Sequence, residues 1–383
     1  MSVEAIVEPE LLVWGRRTAG LSVEEAARLI RVQTDRLAAW ESGDQKPTMG
    51  QLRKLAEKYR RPLNVFFLEA PPPDAEIEFP DFRTLPEGRS RVPSRQLRFA
   101  LRRMSDWRLD VLDLYNELEI EPRPFELRLE LNDDPDVAGS TIRERLRLPL
   151  EHQLAWPLQD AYRPFNEWRT HIEASGALVF QSSRVPVEEM RAASLPVVPL
   201  PAILVNSGDA PQARVFSLAH ELVHLALRRA GLCTPSRIRP IEPTADPVEV
   251  FCNHVAAALL VPRQALLADA ARHARGEWED GEIIALANKY RVSKFVVLRR
   301  LLTLGRTTAE FYDLKHRQWL AQIRPRPESG GDGVRNALSA RGRHYSQLVL
   351  SAYNAKKITL FEAARYLGVK ANQIGRAKAY VGA

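Results

Sequence analysis

The sequence predicts a mostly helical protein with one small sheet, an α+β fold. Apolar positions recur at helical spacing over most of the 383 residues. Only two short apolar runs, Ala177–Phe180 and Ala202–Val205, have the length and the Gly or Pro boundaries of strands. A chain of this length also has room for two or three domains with substantial cores. Hydrophobic content of 45% and charged content of 27% are ordinary globular values and exclude a disordered or fibrous chain. No apolar run approaches the roughly 18–20 residues of a membrane span. The acidic N-terminus does not read as a signal peptide. Two cysteines, Cys233 and Cys252, cannot build a disulfide framework. A cytoplasmic protein without a membrane partner is the expectation. The net charge of +7 permits a nucleic-acid partner without requiring one.

In chain order, residues 8–70 read as a helical bundle. Ser22 is placed to cap a helix, with Glu25 as its capping-box partner. Leu37 and Trp40 continue an apolar face until Ser42-Gly43-Asp44 stops it, and Gln51–Tyr59 is a further amphipathic helix. Residues 71–165 read as a linker followed by a helical region, opening on the stiff Pro71-Pro72-Pro73. Within the stretch Arg83–Arg108, Arg83, Arg89, Arg91, Arg95, Arg98, Arg102, Arg103 and Arg108 face only Glu87 and Asp106. The basic excess is thus placed here rather than in the nearly neutral first bundle. A solvated or interdomain helix face, from Arg95 through Leu118, is preferred to a polyanion patch. A helical stretch from about Asp136 to Ser175 leads to the two strands, within a domain drawn at 166–265. Helices resume after Val215, with a helical segment at 266–323. The Gly/Pro-rich run 324–331 detaches a helical tail at 332–383.

One pattern recurs. Glu25-Ala26-Ala27-Arg28 reappears as Glu362-Ala363-Ala364-Arg365, and a looser copy begins at Leu286; a second amphipathic helix comes after each. Short helical hairpins converge on this pattern, so shared packing accounts better for the last two copies than shared DNA reading.

The chemistry centres on His220-Glu221-Leu222-Val223-His224. On a helix, residues four apart share a face, so both imidazoles can reach one metal ion, and Glu221 is placed to activate a water beside it. A catalytic zinc site takes a third protein ligand and keeps one position open. Glu249 stands near the start of an Ala-rich apolar helix, where a carboxylate is costly to bury unless paired or ligating. It follows His224 by 24 intervening residues, a spacing common in zinc peptidases with a ligand on a second helix. Asn253 shares its face and could orient a ligand. Glu242, Asp246, Cys252 and His254 are the competing ligands; Cys252 reads as packed, and Cys233 has no evident partner.

These residues resemble the ImmA/IrrE family of metallopeptidases. The resemblance runs through Ile203–Asn206, Arg214–His224, Glu249–Asn253 and Ala257–Pro262. It extends less specifically to Phe82–Leu85, Leu286–Leu301 and Arg343–Gly382. It implies a zincin-like domain with His220, His224 and Glu249 as Zn2+ ligands and Glu221 as general base. The sequence departs from the family pattern at Ser217, Val223, Cys252 and Val261, none of which removes a ligand or the base. Residues 8–70 resemble a Cro/repressor-type helix-turn-helix, through Leu37, Trp40-Glu41-Ser42-Gly43, Pro47 and Leu52-x-x-Leu55-Ala56. That likeness implies a recognition helix with Gln33, Thr34 and Arg36 toward double-stranded DNA. Val23 and Ala38 stand where polar Gln and Ser are common.

The function expected is a zinc endopeptidase acting as a stress or mobile-element regulator by cutting a repressor-like partner. The competing expectation is a non-proteolytic DNA-binding regulator, or the antitoxin of a toxin-like partner, with a structural metal. A scaffold whose Arg-rich segment binds an acidic partner is a third. A homodimer is also an expectation.

Overall fold

The computed structural model describes residues 3–72, 93–233, 246–271, 278–322 and 331–382. Expectations resting on Pro73, Phe82–Leu85, Glu87, Arg89, Arg91, Glu242 and residues 324–330 lie outside them. Helix makes up 61% of the structure, and it divides into two units, Met1–Arg103 and Met104–Ala383.

The first unit contains α1 (Pro9–Thr18), α2 (Val23–Ile30), α3 (Thr34–Ser42), α4 (Met49–Tyr59) and a 3-10 turn at Leu63–Phe67. Local chemistry sets the boundaries. Ser22 and Glu25 form a reciprocal capping box at the start of α2, and Thr48 and Gln51 repeat it on α4. A left-handed residue, Arg31 at φ 61°, ends α2, and Gly43 at φ 87° ends α3. Leu37, Trp40, Leu52, Leu55, Tyr59 and Phe66 fill the core. Val23 packs on that core, which is why an apolar residue stands there.

The long helix α5 (Arg95–Glu117) comes next, and the division between units falls inside it. Its arginines are committed to contacts within the protein. Arg95 donates to the Lys58 carbonyl at 2.6 Å, and Arg95 and Arg102 lie over the Phe99 ring. Arg108 is buried and donates to the carbonyls of Pro199 and Leu200 at 2.6 and 2.9 Å. These contacts favour a packing role for this stretch over a polyanion patch.

In the second unit, the continuous helical stretch expected from Asp136 breaks into α6 (Pro135–Arg145), α7 (Leu150–Leu154) and α8 (Arg163–Ala174). Pro149 caps α7 and Pro164 opens α8, positions where a ring that fixes φ and lacks an N–H starts a helix and cannot continue one. The mixed sheet has four strands in the order β1-β3-β2-β4: β1 (Leu178–Ser182), β2 (Ala192–Leu195), β3 (Ala202–Asn206) and β4 (Gly231–Cys233). β1 and β3 run parallel; β2 is antiparallel to β3 and β4. The sequence reading finds β1 and β3 but misses β2 and β4. Those are four and three residues long, built from Ala-Ala-Ser-Leu and Gly-Leu-Cys, without the β-branched or aromatic run that marks a strand.

Asn206 ends β3 fully buried. Its amide donates to the carbonyls of Val185 and Met190, both at 2.8 Å, tying the β1–β2 connection to the strand end. Helix α9 (Pro211–Ala226) then packs on the sheet, buried along nearly its whole length. Helix α10 (Pro247–Leu260) packs beside it and against α6. Gly139 permits the second approach, because a Cβ there would lie 2.7 Å from the Leu259 nitrogen. The last carbonyls of α10 have no intrahelical partners, and side chains supply them. Arg143 reaches Leu259 O at 2.6 Å, Gln153 reaches Leu260 O at 2.9 Å, and Arg300 reaches Val261 O at 2.9 Å. Both helices that matter for the site are therefore held rigidly.

The chain continues through α11 (Arg263–Asp269), α12 (Asp280–Tyr290), α13 (Lys294–Thr303) and α14 (Ala309–Ala321). It ends with α15 (Gly333–Arg341), α16 (Arg343–Asn354), α17 (Leu360–Leu367), a 3-10 turn at Ala371–Gln373, and α18 (Ile374–Val381). Among the described residues no single helix is long and apolar enough to cross a membrane. The bent pair α10 and α11 matches by composition alone, but both contribute to the core of this unit.

Candidate metal centre

The two histidines project from the same face of α9, one turn apart, as the helical pitch requires. His220 Nε2 and His224 Nε2 lie 3.1 Å apart. Glu249, from the first turn of α10, brings Oε2 to 3.3 Å from His220 Nε2 and Oε1 to 3.5 Å from His224 Nε2. Ligand atoms bound about 2.0–2.1 Å from a tetrahedral zinc ion stand about 3.3–3.4 Å apart, so the three atoms fit the edges of one coordination polyhedron. All three residues are buried. Burial alone would raise the Glu249 carboxyl, but hydrogen bonds from both imidazoles hold it well below the usual carboxylate range. The charged form that a cation requires is thus the one the site maintains.

Glu221 is fully buried between α9 and the sheet. Ser194, on β2, donates from Oγ to Glu221 Oε2 at 2.6 Å and accepts from the Gly231 N–H of β4 at 3.0 Å. The register pairs Ser194 with Gly231, so one cross-strand position supplies both contacts. Glu221 Oε1 accepts no hydrogen bond among the described residues. One oxygen is anchored and the other left available. Gly231 has no alternative here: a Cβ would lie 2.4 Å from Glu221 Oε2 and 2.8 Å from the His224 ring.

Of the remaining residues named from sequence, Asn253 is buried on α10, four residues beyond Glu249. Cys252 is fully buried beside the His224 imidazole; burial pushes its thiol up, as suits a packed, neutral side chain. Asp246 caps α10 through the Val248 N–H, which gives it a local role. His254 is partly exposed, and burial and nearby arginines lower its pKa. Sequence reasoning misses Ser194 and Gly231, and it leaves Cys233 unplaced. Cys233 stands with His220 and Glu221 in a cluster whose ligand atoms lie within 4.8 Å of one another. Only sheet pairing joins these residues to the helix motif, and no spacing in the sequence records it.

In the first unit, Gln33 precedes α3 as its N-cap without a side-chain capping bond, and Thr34 and Arg36 occupy its first turn. Gln33 and Arg36 are exposed; Arg36 rests 5.8 Å from the Trp40 ring centre. The three residues thus share the accessible start of the second helix of a helix-turn-helix.

Fold and site together define a helix-turn-helix unit followed by a zincin-like domain. Known families agree: residues 14–66 match the family model of a helix-turn-helix domain, and residues 177–302 match that of the IrrE N-terminal-like domain. The second match runs from the first strand through α13 and includes the whole metal cluster. Among curated proteins no relative matches the chain.

Proposed function

We propose that this chain is a zinc-dependent endopeptidase that regulates transcription by cutting a repressor-like protein, with its helix-turn-helix unit directing it to DNA. The observation that carries the reading is the pairing of a three-ligand cluster with a buried carboxylate that has one anchored and one available oxygen. His220, His224 and Glu249 would hold the ion, which when bound supplies a Lewis acid that acidifies water and polarises a peptide carbonyl. Glu221 Oε1 takes the proton of the attacking water and returns it to the departing nitrogen. Ser194 acts on Glu221 rather than on substrate, keeping Oε2 occupied. Co-expression with a repressor-like partner tests the proposal: a cleavage fragment should form, disappear on chelation and return with zinc. An intact partner despite a full zinc complement would defeat it.

Ser194→Ala should lower turnover by about 10-fold or more while metal content stays unchanged, since a neutral hydrogen bond to a charged group contributes about 1.5–3 kcal/mol. Ser194→Thr, which keeps the hydroxyl, should restore part of the activity. In the first unit, Arg36→Ala should weaken duplex DNA binding and reduce the salt dependence by about one phosphate contact if Arg36 meets the backbone.

A second reading has an observation of its own. His220 and Glu221 are 0% exposed and Glu249 is 8% exposed, the burial expected of a structural ion in a non-proteolytic regulator or antitoxin. Cobalt substitution separates the two. A hydroxamate should perturb the cobalt visible bands if a coordination position is open, and leave them unchanged if the site is closed.

A further inference from the structure

The net charge of the whole chain, +7, is also the net charge of its last 53 residues. Residues 331–383 hold nine Lys and Arg against two Asp and Glu, whereas residues 1–330 hold 46 of each. The Arg83–Arg108 cluster is therefore balanced by acids elsewhere, and the unbalanced charge lies in the tail.

The tail also holds the third copy of the recurring helical pattern, and the structure distinguishes the three copies. Each first helix ends in a left-handed residue, Arg31, Arg291 or Gly368. The next residue is valine, whose N–H returns to an alanine carbonyl five residues earlier at 3.0 Å: Val32 to Ala27, Val292 to Ala287, Val369 to Ala364. The backbone turn is the same in all three, but the second helices differ. In the middle copy, α13 is buried from Val296 through Leu301 and presents no face to a ligand. In the last copy, the 3-10 turn Ala371–Gln373 leads into α18, which buries only Ile374, Ala377 and Val381; Lys370 and Asn372 are exposed ahead of the helix and Arg376 in its first turn. Lys370 directly follows its valine, as Gln33 follows Val32 at the exposed start of α3.

We propose that α17 and α18 form a second DNA-binding helix-turn-helix, which engages the phosphate backbone of double-stranded DNA and supplies the electrostatic attraction that the nearly neutral bundle of residues 8–70 lacks. Charge complementarity favours a duplex, because each positive side chain that meets a phosphate releases condensed counterions. Exposed Arg343, Lys356 and Lys357 add to the same field. Arg376 is held by Asp332 at 2.8 Å, an ion pair exposed on both sides and readily exchanged for a phosphate.

The test uses the full-length chain and a labelled 30-base-pair duplex of mixed sequence, with fluorescence anisotropy across a salt series. Lys370→Ala with Arg376→Ala should lower affinity about tenfold near 0.1 M salt and flatten the log–log salt slope by about 0.9 for each phosphate no longer neutralised. The thermal midpoint should not change, because both side chains are exposed. Lys370→Arg with Arg376→Lys should retain binding. Asp332→Asn, which releases Arg376, should tighten it. The proposal is overturned if the alanine pair binds with unchanged affinity and slope, if the charge-retaining pair loses binding equally, or if the intact chain does not bind the duplex.

Discussion

In the mechanism proposed, replacing Glu221 by Gln is expected to lower peptide cleavage by about 10²–10⁴-fold in turnover, while metal content stays unchanged. The substitution preserves the size of the side chain and its hydrogen bond from Ser194, but removes the oxygen able to take a proton. His220→Ala should have the complementary effect. It removes a proposed ligand, and metal analysis should fall from about one ion per chain to near zero, with activity lost as a consequence. The pair separates proton transfer from metal retention. Zinc loss in Glu221→Gln would mean that Glu221 helps to hold the ion, and the assignment of Glu249 as third ligand would need revision.

Gly231→Ala is the second change with a large expected effect, at a residue that makes no contact with substrate in the mechanism proposed. The added Cβ would stand 2.4 Å from Glu221 Oε2 and 2.8 Å from the His224 ring, and both neighbours are buried on a helix packed along nearly its whole length. Overpacking of this kind costs about 1–3 kcal/mol. It acts on a ligand and the proposed base together, so metal affinity and activity should fall with stability. Denaturant titration and a competitive zinc titration would measure both. Unaltered values in each would show that β4 moves aside and that its contact with Glu221 is not a fixed part of the site.

The helical parts of this protein were legible because their determinants are local. The Ser22–Glu25 capping box, the stop at Gly43 and the face shared by His220 and His224 each lie within one or two helical turns, where pitch fixes the geometry. Glu249 was legible for a related reason, since a carboxylate on an otherwise apolar helix needs a partner. Strands β2 and β4 were not legible. Their residues carry little intrinsic preference, and they are strands because β3 and each other supply hydrogen-bond partners. The breaks in the Asp136–Ser175 stretch were recoverable from Pro149 and Pro164, whose meaning is positional.

By itself, then, the amino-acid sequence determined the order of the parts, the helix motif that offers two imidazoles and a carboxylate, and the candidate third ligand. Tertiary structure decided which carboxylate joins the histidines, that Ser194 anchors Glu221, that Gly231 must lack a side chain, and which copy of the recurring hairpin shows its second helix to solvent. The physical reason is range. Helical spacing and capping are settled within a few residues, whereas strand register and burial depend on segments tens of residues apart meeting at one place.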